Sequence, residues 1–357
     1  MDTTEGMLKA LTEAMGVAGH ELEVSRIMAG YLSEFTQITY DRLGSLIAKK
    51  TGESDSPKVM LAGHMDEVGF MVKQITKEGF VKFLPLGGWW PHVLLSQRVK
   101  IRTRKGDVIG VIGSRPPHEL TEEERKKVMK IHDMYIDVGA TSDYDVKEEL
   151  GILPGDPIVP VSPFAIMDNP RLYMAKAWDD RVGCAMVIDI LKNLRNIKHP
   201  NTVFGVGTVQ EEEGLRGATT SSESVGPDVG FALDVSIAKD LPKGGDDIVE
   251  RLGSGPSIVV YDKSMIPNTR LRDLVVQTAE EEGIPYHFTS VEQGGTDAGR
   301  IHLYRIGVPS LTIGVPTRYI HSHTGILSRD DYDNAIRLLV EVIKRLDMKT
   351  VEELVGG

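Results

Sequence analysis

The chain has 357 residues, room for two domains or for one large domain carrying an insertion at ~150 residues per domain. Its 41 Lys and Arg against 52 Asp and Glu give a net charge of −11, which argues against nucleic-acid and anionic-membrane partners, since both need a clustered positive field. Hydrophobic residues, 41% of the chain, support a large core, and the lone Cys184 excludes an internal disulfide and a cysteine-based zinc site.

Two helices are predicted first. Met7, Leu8, Leu11, Ala14 and Met15 stand at helical spacing over 3–15, closed by Gly16; Leu22, Val24, Ile27, Met28, Tyr31 and Leu32 repeat the pattern over 21–35. A hairpin turn is expected at Arg42-Leu43-Gly44-Ser45, and the apolar run 58–63 reads as a strand buried on both faces. The character then changes. Short β-like runs at 70–75, 79–84, 97–103, 108–114, 135–138 and 156–161, punctuated by Gly and Pro, predict a small all-β unit. Within it the charged stretch 119–130 reads as an exposed loop or helix. Beyond 169, strands (172–177, 202–209, 229–233, 257–261, 310–314) alternate with helices (181–194, 268–282, 332–346). The expectation is an α/β domain made of residues 1–67 and 166–357, with a β-rich unit at 68–165 inserted into it. No apolar run approaches the ~20 residues of a membrane-spanning helix, and the opening residues lack a signal-peptide profile. A cytoplasmic protein is expected.

Histidines and acids collect just after the predicted strands: His64 and Asp66, Asp179, Glu211-Glu212-Glu213, Asp234, and His321. Strands of an open α/β sheet converge at their carboxyl ends, so these groups would meet in space. One acid after a strand is most simply a helix cap or a solvated turn. Together they form a ligand set suited to zinc, cobalt or manganese. Two divalent ions would balance a bridging Asp179, Glu212, Asp234 and a hydroxide, with His64 and His321 neutral; without cations the carboxylates would repel one another. Of the adjacent Glu211 and Glu212, one can bind metal while the other moves the proton.

The segments Gly63-His64-Met65-Asp66-Glu67-Val68-Gly69, Ala177-Trp178-Asp179-Asp180-Arg181-Val182-Gly183, 209–217, Leu233-Asp234-Val235 and Arg318-Tyr319-Ile320-His321-Ser322 closely resemble the tetrahedral di-metal aminopeptidases. These are deblocking, leucyl and glutamyl aminopeptidases, once often labelled endoglucanases. The likeness runs the whole length, taking in Gly87-Gly88-Trp89-Trp90, Leu153-Pro154-Gly155-Asp156 and Gly294-Gly295-Thr296-Asp297.

That resemblance implies an α/β peptidase domain with a central mixed β-sheet flanked by helices, and an inserted small β-barrel-like, PDZ-resembling unit that builds dimers. Six dimers would close into a hollow dodecamer. It implies removal of the amino-terminal residue from peptides with a free amino terminus, through a metal-bridging hydroxide, with two divalent ions per chain. His64, Asp179 and Asp234 would hold one ion; Asp179, Glu212 and His321 the other. Glu211 would be the general base and acid, and Asp66 would orient His64. Gly295 and Thr296 would wall the substrate pocket. In the extended segment His321-Ser322-His323 the histidines would point to opposite faces, and the motif selects His321. Two departures stand out: Glu213 where relatives more often carry an apolar residue, and Asp180 where many carry Asn. Neutral surface variation is the expected reading of both. A glutamyl-specific pocket would need a cation, with Arg216, Arg270, Arg318 and Lys263 as candidates.

Two other readings compete. A glycoside hydrolase could use the Glu pair, but it leaves the histidines unexplained, and 6% aromatic content offers few sugar platforms. A metal-dependent scaffold or peptide-binding shell has no need of a spare base.

Overall fold

The computed structural model describes residues 1–242 and 248–355. Four parallel strands form the centre of a large mixed sheet, in the spatial order Thr202–Thr208, Lys58–His64, Val229–Ile237, Ser310–Arg318. Leu46–Thr51 and Gln37–Tyr40 extend one side antiparallel, joined by the expected hairpin, in which Asp41 Oδ1 accepts the amides of Leu43, Gly44 and Ser45. On the other side Gly325–Ser328 and then Leu172–Ala175 each pair antiparallel with their neighbour. Two such reversals restore direction, so Leu172–Ala175 ends at the same edge as the four parallel strands. Ser257–Asp262 and His287–Val291 branch from Ser310–Arg318.

The sheet is covered on both faces, which is why its central strands read as unbroken apolar runs. Val59 and Leu61 join one core with the helices Thr3–Glu13, Leu22–Leu32, Trp178–Asn193 and Arg329–Arg345. Met60 and Ala62, alternating with them, face a second core closed by Arg216–Val225 and Ala298–Ile301. Helix Arg216–Val225 escapes the sequence reading. Its Gly, Thr and Ser residues favour helix weakly, and burial of Ala218 and Val225 holds it in place instead.

Between Gly69 and Pro160, six antiparallel strands close a separate barrel: Gly69–Ile75, Phe80–Leu86, Tyr135–Asp137, Gly106–Gly113, Arg98–Thr103 and Pro157–Pro160, the last pairing back to the first through Phe70 and Ile158. Alternate residues fill it, among them Phe70, Val72, Val81, Phe83, Val99, Ile101 and Ile136. Glu122–Arg125 forms a short exposed helix on its outside.

A buried ion cluster ties the first helix to the sheet edge. Glu67 accepts Lys176 Nζ at 2.7 Å and Arg181 at 3.0 Å, and all three side chains are almost wholly enclosed. The two cations also donate to the carbonyls of Leu11, Ala14 and Gly16, where the helix ends. Burial pulls Lys176 down to about 8, with Glu67 opposing it. Removing the single anion would strand two buried cations. Glu67→Ala should therefore lower unfolding free energy by ~3–5 kcal/mol in urea titration; a loss below ~1 kcal/mol would contradict this role.

Candidate metal centre

The register at the sheet edge brings the scattered residues together. His64 is the last residue of its strand and lies level with Thr208; Ala232 pairs with Ala62, which sets Asp234 beside His64. Glu211 and Glu212 follow Thr208, Asp179 follows Leu172–Ala175, and His321 follows Ser310–Arg318. The chain turns sharply at these points: Ala177, Gln210, Leu215, Tyr319 and His321 all have positive φ without being glycine. Such backbone costs ~1–3 kcal/mol per residue and persists where its surroundings fix it.

Both imidazoles present the same face. His64 Nδ1 lies 3.0 Å from the main-chain oxygen of Asp66, and His321 Nδ1 lies 2.8 Å from that of Gly88. A carbonyl only accepts, so each Nδ1 carries a hydrogen and each Nε2 is left to face the carboxylates. His64 Nε2 stands 3.1 Å from Asp179 Oδ1, and His321 Nε2 stands 3.2 Å from Asp179 Oδ2 and 3.5 Å from Glu212 Oε1. Asp179 thus offers one oxygen to each ring. A neutral Nε2 is itself an acceptor, so only a proton or a cation can lie between it and a carboxylate.

The other acids divide into two kinds. Asp66, fully buried, accepts the amides of Glu211 at 2.9 Å and Glu212 at 3.1 Å. Its main chain meets His64 more closely than its carboxylate, which stays 3.5 Å away. Asp180 is also fully buried, accepting the amides of His64 and Gly183 at 2.9 Å each. The expectation of surface variation fails for Asp180, because the non-helical backbone at Asp179 and Asp180 in the first turn of its helix carries it inward. Glu213 is engaged as well, accepting the Gly87 amide at 2.9 Å. Glu212 Oε1, in contrast, is buried without a hydrogen-bond partner, as is Asp297 Oδ1.

Ligand atoms of His64, Asp179 and Glu212 lie within 4.8 Å of one another, and so do those of His64, Asp180 and Asp234. Neither group is the set expected from the sequence: His64 joins Asp179 and Glu212 where His321 was expected, and Asp180 joins His64 and Asp234 where Asp179 was expected. Buried acceptors that lack donors, and ring nitrogens aimed at carboxylates, fit divalent cations. Glu211 lies at the margin, with Oε2 3.8 Å from His64 Nε2.

Two positions, Asp297 and Glu21, escape the sequence reading, and Asp180 is named there only as surface variation. Asp297 sits at the start of a short helix, yet the Thr208 hydroxyl donates to it within the acid cluster. Glu21, buried below the site, accepts the amides of Gly19 and Gln210 at 2.8 and 3.0 Å, and burial together with Asp66 raises it to about 7; nothing in an amphipathic helix start marks it. Thr296 is buried, with its hydroxyl shared with Thr312 and Asp262, while Gly295 packs against Ser264. His321 is left-handed, so the segment to His323 is not extended as expected; His323 nonetheless lies apart from the ligand groups, its ring 5.4 Å from Trp89. Cys184 is buried, donating to the His64 carbonyl. Among the candidate pocket cations, Arg318 is clamped by both oxygens of Asp240.

A closed barrel set beside a sheet whose carboxyl edge carries acids and imidazoles that could hold metal is an α/β peptidase architecture. The chain belongs to the M42 glutamyl aminopeptidase family, whose model matches residues 44–338, while a short model named AMPT matches residues 2–28. It is 48% identical to a TET aminopeptidase from the marine sediment archaeon Thaumarchaeota archaeon SCGC AB-539-E09, with a TM-score of 0.96 over 99% of this chain and 100% of that one. It is 38% identical over 356 residues to the glutamyl aminopeptidase of Lactococcus lactis, covering 97% of this chain and 98% of the relative. The Pyrococcus horikoshii TET1 peptidase, described as assembling into a tetrahedron or a large octahedral shell, is 30% identical with a TM-score of 0.86 over 96% and 100% of the two chains. The chain is accordingly an aminopeptidase, a hydrolase of the exopeptidase kind.

Burial and mutual repulsion set the cluster's titration. Burial, with Asp179 adding, lifts Glu212 to about 8 and Asp234 to about 7. Burial opposes a charge on His321, but Asp179 and Glu212 overcome it and raise the ring to about 10. Burial also works against Asp179, yet its hydrogen bonds with His321 and His64 hold it below the usual range. For the metal-free chain the signs agree. Glu212 and Asp234 keep protons when folded that they give up when unfolded, so their contribution declines as pH rises through their folded values. The His321 contribution is present below about 6.5 and is lost toward 10. Asp179 acts oppositely, but only in acid. The chelated protein should therefore melt at steadily lower temperature from about pH 5 to about pH 9, and excess zinc or cobalt should flatten that slope. A melting temperature that rises over this range after chelation would contradict the assignment.

Proposed function

We propose that this chain removes single amino-terminal residues from peptides with a free amino terminus, with two divalent ions per chain: zinc or cobalt, or alternatively manganese. The observation that carries this reading is Asp179 turning one oxygen to each imidazole, with both Nδ1 atoms occupied by main-chain carbonyls so that both Nε2 atoms face the carboxylates. In the proposed arrangement Asp179 is shared between the ions, His64 and Asp234 complete one group, and Glu212 and His321 complete the other. When bound, such ions polarise the scissile carbonyl and make a water acidic enough to attack it.

The protein's own groups do the rest. Glu211 takes the proton from the attacking water and passes it to the departing amine. Asp66 holds the main chain of Glu211 and Glu212 while its carbonyl fixes the tautomer of His64. The loop with Gly295 and Thr296 walls the substrate side, its rigidity supported by the Thr296–Thr312 hydroxyl pair. Residues 68–165 form the unit through which copies pair, and six pairs enclose the sites in a dodecamer; the likeness to a TET peptidase that forms a tetrahedron supports this. The proposed setting is the cytoplasm, with peptides rather than nucleic acid or membrane as partners.

Metal analysis with a peptide panel tests the reading: two ions per chain and no cleavage of amino-acetylated peptides are expected. Activity that survives exhaustive chelation would overturn it. Glu211→Gln should keep both ions and lose ~10²–10⁴-fold in turnover; unchanged turnover by the metal-replete variant would remove Glu211 from the chemistry.

A further inference from the structure

The glycine pair that follows the barrel strand Phe80–Leu86 lies directly against the acid cluster. A Cβ on Gly87, whose φ is +74°, would come within 2.9 Å of Glu212 Oε2 and 2.7 Å of the Val68 side chain; one on Gly88 would stand 3.1 Å from His321 Nδ1. The contact is polar as well as close. The Gly88 carbonyl that fixes the His321 tautomer comes from the barrel, whereas the histidine comes from the sheet.

Residues 87–90 have no strand pairing of their own, so their position depends on side chains. At one end Trp89 donates to the Gly69 carbonyl at 3.0 Å and stacks on Phe70 at 4.7 Å, with its other neighbour the His323 ring. At the other end the Gly87 amide donates to Glu213 Oε1 at 2.9 Å. Glu213 belongs to neither group of clustered ligand atoms among the described residues. It faces the barrel loop, where its oxygen is the acceptor for the Gly87 amide.

We propose that Glu213 is a positioning residue for the half of the centre built on Glu212 and His321: by fixing Gly87 it holds the Gly88 carbonyl where it orients the His321 ring. The inference rests on the metallopeptidase reading above. It predicts an unequal effect on the two ions, because among the described residues the loop's hydrogen bonds reach His321 and Glu213 and not His64 or Asp234. A hydrogen-bond partner behind a ligand is worth about 10–100-fold in metal affinity, and Glu213 acts one link further back, which sets the expectation at about tenfold.

The test uses the full chain loaded with zinc, titrated with a chromophoric chelator, and read as ions released rather than as turnover. The parent should hold two ions per chain. Glu213→Ala should release one of them about tenfold more readily and the other as the parent does. Glu213→Gln, which keeps an acceptor oxygen and loses the charge, should match the parent. The inference is overturned if Glu213→Ala holds both ions as the parent does, if both weaken together, or if Glu213→Gln falls as far as Glu213→Ala, since charge alone would then be acting. A parent chain that binds no zinc would overturn the metallopeptidase reading itself, and this inference with it.

Discussion

Two acceptors facing each other inside a protein demand a positive charge between them. Asp179 imposes that condition twice, once toward each imidazole. Around it lie six further carboxyl groups, those of Asp66, Asp180, Glu211, Glu212, Asp234 and Asp297, all largely enclosed. The fold deals with them in two ways. Asp66 and Asp180 each take two main-chain amides and so have their charge dispersed into the backbone. Glu212 and Asp297 each retain an oxygen with no donor. The first kind builds the walls of the site, and the second leaves negative potential inside it.

Everything beneath the edge serves to hold that arrangement. Parallel pairing sets His64 and Asp234 level, and the two antiparallel steps through Gly325–Ser328 bring Asp179 to the same side. Below them, Glu67 pairs with both Lys176 and Arg181, whose remaining donors fasten the end of the first helix. Carboxylates also hold the turn at 210–212 from behind, Glu21 at Gln210 and Asp66 at Glu211 and Glu212. The barrel is part of this frame, since its Gly88 carbonyl meets His321.

Much of this was legible in the chain itself. Period and punctuation marked the barrel strands and the central strand 58–64, because both depend on apolar residues that a two-residue repeat or a buried run displays. The motifs marked His64, Asp179, Glu212, Asp234 and His321, which the sheet edge does gather. What stayed hidden depends on tertiary context. Helix Arg216–Val225 forms from weak helix formers under packing. The strand from Ser310 runs on through Pro316 to Arg318 because Val229–Ile237 pairs with it as far as Thr317 and Gly325–Ser328 pairs with Thr317 and Arg318. Asp180 and Asp297 look like ordinary caps in sequence, and only the three-dimensional turn shows them buried among other acids. Glu213 looked like surface because its partner, Gly87, lies 126 residues away in the inserted unit.

The central claim is that this edge encloses a pair of cations shared by Asp179. Anomalous diffraction from crystals grown with zinc, measured on both sides of the zinc absorption edge, tests it most directly. The account predicts two zinc peaks per chain, one on the His64 side of Asp179 and one on the His321 side. A single peak, or none, in fully loaded crystals would contradict it.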